Sequence, residues 1–197
     1  MEILLASQNK GKIAEFRELL AGQNIQVRSL LDFPDYEDVE ETGQTFAENA
    51  ALKAWAAMKK TGLLTLADDS GLEVEALNGA PGVISARFAG EQGNAEKNID
   101  KLLALLADVP DERRGARFRC CLVIVTPAEK EYLVEGAVAG RILHRRQGEG
   151  GFGYDPVFFL PDLGKTMAEL SSAQKNKLSH RAQAFRKVLP ILDELNK

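Results

Sequence analysis

Glu2-Ile3-Leu4-Leu5-Ala6, then Ser7-Gln8-Asn9-Lys10-Gly11-Lys12, then Ile13 through Leu20: this opening stretch decides the fold class. The first five residues read as a short apolar strand. From Lys12 to Leu20 the apolar positions Ile13, Phe16, Leu19 and Leu20 recur at helical spacing, and Gly22 supplies a stop. A strand, a polar loop and a helix in succession start an α/β chain. The rest of the sequence repeats the alternation. Ile25–Leu30 reads as a second strand. Thr45 opens a helix to Lys60, with Glu48 three residues on as a capping box and Gly62 as terminator. Leu63–Ala67 is an apolar strand that runs into Asp68-Asp69-Ser70-Gly71, and Leu72–Leu77 alternates as a half-exposed strand. A helix over 94–107, a strand pair at Arg117–Val125 and Glu131–Val138, and an apolar run at Val157–Leu160 follow, before a final helix that Ser179 caps and Pro190 kinks. The expectation is an α/β fold with a mixed sheet, as one domain over residues 1–197.

Composition narrows the function classes. A net charge of −4 argues against broad binding to nucleic acid, which needs a basic face, but leaves room for a small anion held by a few local cations. The adjacent Cys120 and Cys121 would point to opposite faces of a strand, so they are expected as reduced, buried thiols. The start Met1-Glu2-Ile3-Leu4-Leu5-Ala6 is too short and too acidic for a signal peptide. No apolar run approaches the roughly 20 residues that span a bilayer. No membrane partner and a cytoplasmic location are expected.

Five segments carry candidate chemistry. In Ser7-Gln8-Asn9-Lys10-Gly11-Lys12, a helix N-terminus offers unpaired N–H groups to a phosphate, Gly11 permits close approach, and Lys10 or Lys12 adds charge. The same residues also read as a polar turn with a helix cap. Asp68-Asp69-Ser70-Gly71 reads two ways as well: as oxygen ligands for Mg²⁺ at a strand end, or as an Asx turn closing a hairpin. The acidic approach Glu37, Asp38, Glu40 and Glu41 is either a solvated charge run or the source of one further metal ligand. In Gly150-Gly151-Phe152-Gly153-Tyr154-Asp155-Pro156, an aromatic ring could stack on a base while Asp155 accepts from a ring N–H; alternatively both aromatics tuck inward. Finally, Ser179, His180 and Arg181, with Lys175 nearby, crowd a cap, an imidazole and a guanidinium at one helix start. Cations there oppose the dipole, and an anionic or carbonyl-bearing ligand would explain them. They also read as a surface helix in which His180 and Arg181 are merely solvated.

These segments, with Glu40-Glu41-Thr42-Gly43-Gln44-Thr45-Phe46-Ala47-Glu48-Asn49-Ala50 and Gly79-Ala80-Pro81-Gly82-Val83-Ile84-Ser85-Ala86-Arg87, occur in an order that resembles the bacterial branch of the inosine/xanthosine triphosphate pyrophosphatase family. The resemblance covers about Leu4 to Ala184. It implies a long mixed sheet with helices in two lobes and an active site in the cleft, in a homodimer. It further implies that Ser7, Gln8, Asn9, Lys10, Gly11 and Lys12 hold a triphosphate, with Lys53 and Asn49 as phosphate neighbours. Asp69 would be the catalytic carboxylate and a Mg²⁺ ligand, with Asp68 beside it and Glu40 or Glu41 completing the metal site. Ser70 would touch substrate, Phe152 would stack on the purine, and Gly153, Tyr154 and Asp155 would line its pocket. Lys175, His180 and Arg181 would complete recognition. The implied reaction is hydrolysis of ITP, dITP or XTP to the monophosphate and pyrophosphate. Two rivals remain: another nucleotide-cleaving hydrolase of related fold, and a nucleotide sensor without turnover.

Overall fold

The computed structural model describes residues 1–196. Seven strands form one sheet: β1 (Glu2–Leu5), β2 (Gln26–Ser29), β3 (Thr65–Val74), β4 (Gly115–Val125), β5 (Glu131–Ile142), β6 (Phe158–Leu160) and β7 (Lys165–Thr166), in the spatial order β2-β1-β3-β4-β5-β6-β7. β1 pairs parallel with β2 and β3, while β6 pairs antiparallel with β5 and β7, so the sheet is mixed. The helices are α1 (Lys10–Leu19), α2 (Phe46–Thr61), α3 (Ala95–Leu105), α4 (Ser172–Leu178) and α5 (His180–Leu195).

Local rules account for most boundaries. Asn9 caps α1 by accepting from the Lys12 N–H at 3.1 Å, and Ile13 and Phe16 are its buried face. Thr45 and Glu48 form the expected capping box on α2, and Gly62 ends it in the left-handed region at φ 69°. The inner half of β4 is buried on both faces, which places Cys120 and Cys121 in the interior as free thiols.

Three expectations are corrected. Asp68-Asp69-Ser70-Gly71 is neither a strand end nor a turn, because β3 runs straight through it to Val74. An Asx turn needs the carboxylates to bond nearby backbone; here they face side-chain cations, and the strand continues. Leu72–Leu77 therefore forms no separate strand, and Glu75–Leu77 leaves β3 as a 3-10 turn. The region before α5 also holds a short extra helix. Ser171 and Gln174 form a capping box on α4, a signal present in the sequence, and Ser179 is the extended residue between α4 and α5.

The chain divides into two compact units: residues 1–69, 120–136 and 181 onward form the first, and residues 70–119 and 137–180 the second. Each has its own apolar core. In the first, Phe16 meets Phe185 edge-on at 6.1 Å among Ile3, Leu5, Leu122 and Val188. In the second, Phe118 packs on Phe158 at 4.3 Å among Leu72, Leu102 and Val157. The chain passes from one unit to the other between Asp69 and Ser70 in β3, Arg119 and Cys120 in β4, Gly136 and Ala137 in β5, and His180 and Arg181 at the start of α5.

Candidate active site

In the first unit, the two aspartates of β3 sit in opposite electrostatic settings. Asp68 is fully buried. Its Oδ2 accepts from Arg181 Nε at 2.8 Å and lies 3.2 Å from Cys120 Sγ, and its Oδ1 is ion-paired with Lys12 Nζ. Burial opposes its charge, but Arg181 and then Lys12 overrule it and hold the carboxyl well below the usual carboxylate range. The Arg181 guanidinium, itself only 2% exposed, also pairs through Nη1 with Glu15. Beside Asp68, the Cys120 thiol is pushed well up by burial and then by the aspartate's charge, so it stays protonated.

Asp69 is 5% exposed, and its Oδ1 accepts from Lys53 Nζ at 2.8 Å. Lys53 also donates to Glu41 Oε1 at 2.7 Å. The other Asp69 oxygen, Oδ2, is buried and has no protein partner among the described residues. Burial raises the Asp69 pKa, Glu41 adds to the rise, and Lys53 and Lys12 only partly counter it. For Lys53, burial would lower the pKa, but Asp69 and Glu41 outweigh it and raise it.

Whether this cluster fits a divalent cation can be judged from its donors. No group of three or more His, Cys, Asp or Glu side chains forms a ready cage among the described residues. Mg²⁺ does not need one, since it keeps waters and takes one or two carboxylates plus substrate phosphates. Glu41 and Asp69 already share one cation, the Lys53 ammonium, and Asp69 keeps a buried oxygen that only water or a further cation can satisfy. The donor set fits. It is Glu41, not the exposed Glu40, that turns to Lys53.

The phosphate-loop candidates lie at the start of α1. Asn9 N donates to Ser7 Oγ at 3.1 Å, which shapes the loop, and Gln8 Nε2 donates to Asp38 at 3.2 Å. Lys10 and Gly11 are the first two residues of α1, whose first-turn N–H groups have no intrahelical acceptor. Lys10 is exposed, and Lys12 reaches the Asp68 carboxylate.

The second unit holds a smaller and more aromatic cluster. Asp155 is buried, and its Oδ2 accepts from Phe152 N at 3.0 Å and from Lys175 Nζ at 2.7 Å. Lys175 also lies 4.7 Å above the Phe152 ring, a cation–π contact. Gly151 has φ 74°, and an added Cβ there would lie 2.1 Å from Asp155 Oδ2. Gly153 is left-handed too, at φ 61°. The two aromatics of this loop separate: Phe152 is half-buried, whereas Tyr154 is buried and donates its hydroxyl to the Ser85 carbonyl at 2.8 Å. His180 is buried and stacks on Phe118 at 4.9 Å.

The helix-start cluster expected from Lys175 to Arg181 is thus dispersed. Lys175 lies on α4 with Asp155, His180 stacks in the second unit, and Arg181 faces the carboxylates of the first. Glu15, Cys120, Ser85 and Phe118 are not among the candidate site residues read from the sequence. Glu15 had a signal: it stands three residues after Lys12 on α1, hence on the same helix face.

A model of the Ham1 family matches residues 3–191. The chain belongs to the Ham1 family. A relative from Geobacillus kaustophilus named dITP/XTP pyrophosphatase is 54% identical over 187 residues, 95% of this chain and 92% of its own. The solved Ham1 protein of Staphylococcus aureus superposes with a TM-score of 0.87 at 45% identity, covering 98% of this chain and 99% of that one. A Mycobacterium abscessus structure titled nucleoside-triphosphatase / dITP/XTP pyrophosphatase gives a TM-score of 0.77 at 48% identity, over 96% of this chain and 100% of its own. These matches bear out the family resemblance and the mixed sheet with flanking helices. No helix among the described residues of this Ham1 family member is long and apolar enough to cross a membrane.

Proposed function

We propose that this chain hydrolyses non-canonical purine nucleoside triphosphates, dITP, XTP and ITP, to the monophosphate and pyrophosphate. The observation that carries the reading is Asp69: a buried carboxylate with one oxygen tied to Lys53 and the other without a protein partner, in a chain about half identical to named dITP/XTP pyrophosphatases. A sensor without turnover is disfavoured because the relatives at about half identity are named pyrophosphatases. A nucleotide-cleaving hydrolase of another family is disfavoured by the near full-length Ham1 match.

Ser7 to Lys12 take the triphosphate at the start of α1, with the Lys12 and Lys53 ammonium groups countering its charge. Glu41 and Asp69 hold Mg²⁺, which when bound neutralises charge on the phosphates and eases ionisation of the attacking water. Asp69 takes the proton of the attacking water as its oxygen bonds to the α-phosphorus and the bond from that phosphorus to the pyrophosphate leaving group breaks. Asp68 is a fixed anion that holds Lys12 and Arg181 in place, and is not the base. In the second unit, Phe152 stacks on the purine and Asp155, held by Lys175, faces its ring N–H. Ser70, Gly153 and Tyr154 complete the substrate surface. His180 and Arg181 donate to the 6-keto oxygen of the base, which adenine replaces with an amino donor. We further propose a homodimer working in the cytoplasm, the first of which light scattering over a dilution series checks.

Pyrophosphate release with Mg²⁺, run on dITP, XTP, ITP, ATP and GTP, tests the proposal. A site built to pair a keto oxygen can reject the analogue lacking it by about a thousandfold or more. The expected order is dITP, XTP and ITP far above ATP, with GTP, which keeps the 6-keto group, excluded through its 2-amino group instead; equal turnover of all five defeats the specificity, and absence of turnover defeats the enzyme.

A further inference from the structure

The end of the acidic loop is fastened to α2 by backbone hydrogen bonds. Gln44 N and Thr45 N both donate to Glu48 Oε2, at 2.7 and 3.1 Å, which is ordinary helix capping. Gly43 N instead donates to Asn49 Oδ1 at 2.7 Å, and Asn49 is completely buried. The fit is tight: a Cβ on Gly43 would lie 2.6 Å from Asn49 Oδ1, 2.7 Å from Glu48 Cβ and 3.0 Å from Asn49 N. Two residues before Gly43 is Glu41, whose carboxylate shares Lys53 with Asp69. Lys53 stands four residues after Asn49 on α2, on the same helix face. One face of α2 therefore grips the loop backbone at one turn and its carboxylate at the next.

We propose that Asn49 is a positioning residue for the metal site: through the Gly43 N–H it sets where the loop presents Glu41, and so how tightly a divalent cation is held. This rests on Glu41 being a ligand. The role expected from family resemblance, a direct phosphate contact, would use the other end of the amide. Its Nδ2 is buried without a partner among the described residues, whereas Gly43 N can only donate and so faces the oxygen. The two ends of Asn49 make separable demands.

Mn²⁺ binding to the nucleotide-free enzyme, followed by electron paramagnetic resonance, separates them. Glu41→Gln, Asn49→Ala and Gly43→Ala are each expected to weaken Mn²⁺ by about 10- to 100-fold, the range typical of losing a group that orients a metal ligand. Asn49→Asp keeps an acceptor for Gly43 N–H and is expected to bind Mn²⁺ no more weakly than wild type. If Glu41→Gln binds as wild type, the ligand assignment falls and the inference with it. Should Glu41→Gln weaken binding while Asn49→Ala and Gly43→Ala do not, the ligand stands and the positioning role is overturned, even if those variants melt earlier. Asn49→Asp binding as poorly as Asn49→Ala would also overturn it.

Discussion

The two units handle buried charge differently. In the first, cations and carboxylates alternate in the interior: Lys12 with Asp68, Asp68 with Arg181, Arg181 with Glu15, and Lys53 between Asp69 and Glu41. In the second, the expected substrate residues contain one buried ion pair, Lys175 with Asp155, whose ammonium lies over the Phe152 ring, and His180 stacks on Phe118. A dense ionic interior is costly unless each charge is paired. It suits a ligand that is itself highly charged, and the aromatic unit suits a flat, weakly polar ring. The contrast teaches that the residues proposed for phosphate lie among paired charges, whereas Phe152, proposed to stack on the base, sits against the Lys175 ammonium; Arg181, proposed for the base, belongs to the ionic unit.

The largest expected effect breaks the ionic interior. Arg181→Ala removes the guanidinium from the buried Asp68, and removing one partner of such a pair typically costs about 3–5 kcal/mol. Denaturant unfolding measures it; a loss under about 1 kcal/mol, the scale of an exposed pair, would mean the network is no more than surface pairing. Ratios of kcat/KM on the folded fraction sharpen the assignment. If Arg181 reads the base, ITP-over-ATP falls much more than ITP-over-GTP, because guanine keeps the 6-keto group; equal losses on ITP and ATP place Arg181 with phosphate or structure.

Next comes Asp69→Asn. It keeps shape, retains an oxygen for Lys53 and removes the proposed proton acceptor. A fall in kcat of about a hundredfold or more is expected, with an unfolding midpoint near wild type. Near-normal turnover at saturating Mg²⁺ would remove Asp69 from the chemistry.

The smallest effect lies in the aromatic unit. Phe152→Ala forfeits base stacking, worth about 1–3 kcal/mol per base where it has been measured by truncation. A rise of roughly tenfold in KM for ITP with little change in kcat is expected from steady-state rates. A fall in kcat at unchanged KM would show that Phe152 serves the chemistry and not base binding.

How legible this was depended on the range of the interactions. The capping box of Thr45 and Glu48, the stop at Gly62 and the buried pair Cys120 and Cys121 are local or periodic features, and sequence alone located them. The course of β3 was not legible. Asp68-Asp69-Ser70-Gly71 has the composition of a turn, and it stays a strand because Asp68 meets a guanidinium 113 residues away. The same holds for Glu15, whose partner lies 166 residues on. Lys175, His180 and Arg181 looked like one cluster because they are close in sequence, whereas α4 and the start of α5 distribute them to different partners. Motif order identified the candidate residues; their pairings are long-range and only the folded chain displays them.

The most direct test of the central claim follows the oxygen of water. Hydrolysis of ITP in H₂¹⁸O, with products resolved by ³¹P NMR, shows which phosphorus is attacked. Attack at the α-phosphorus puts one ¹⁸O in the monophosphate and none in pyrophosphate, and this is the expected result. Label in pyrophosphate, or release of orthophosphate with a nucleoside diphosphate, would contradict the account.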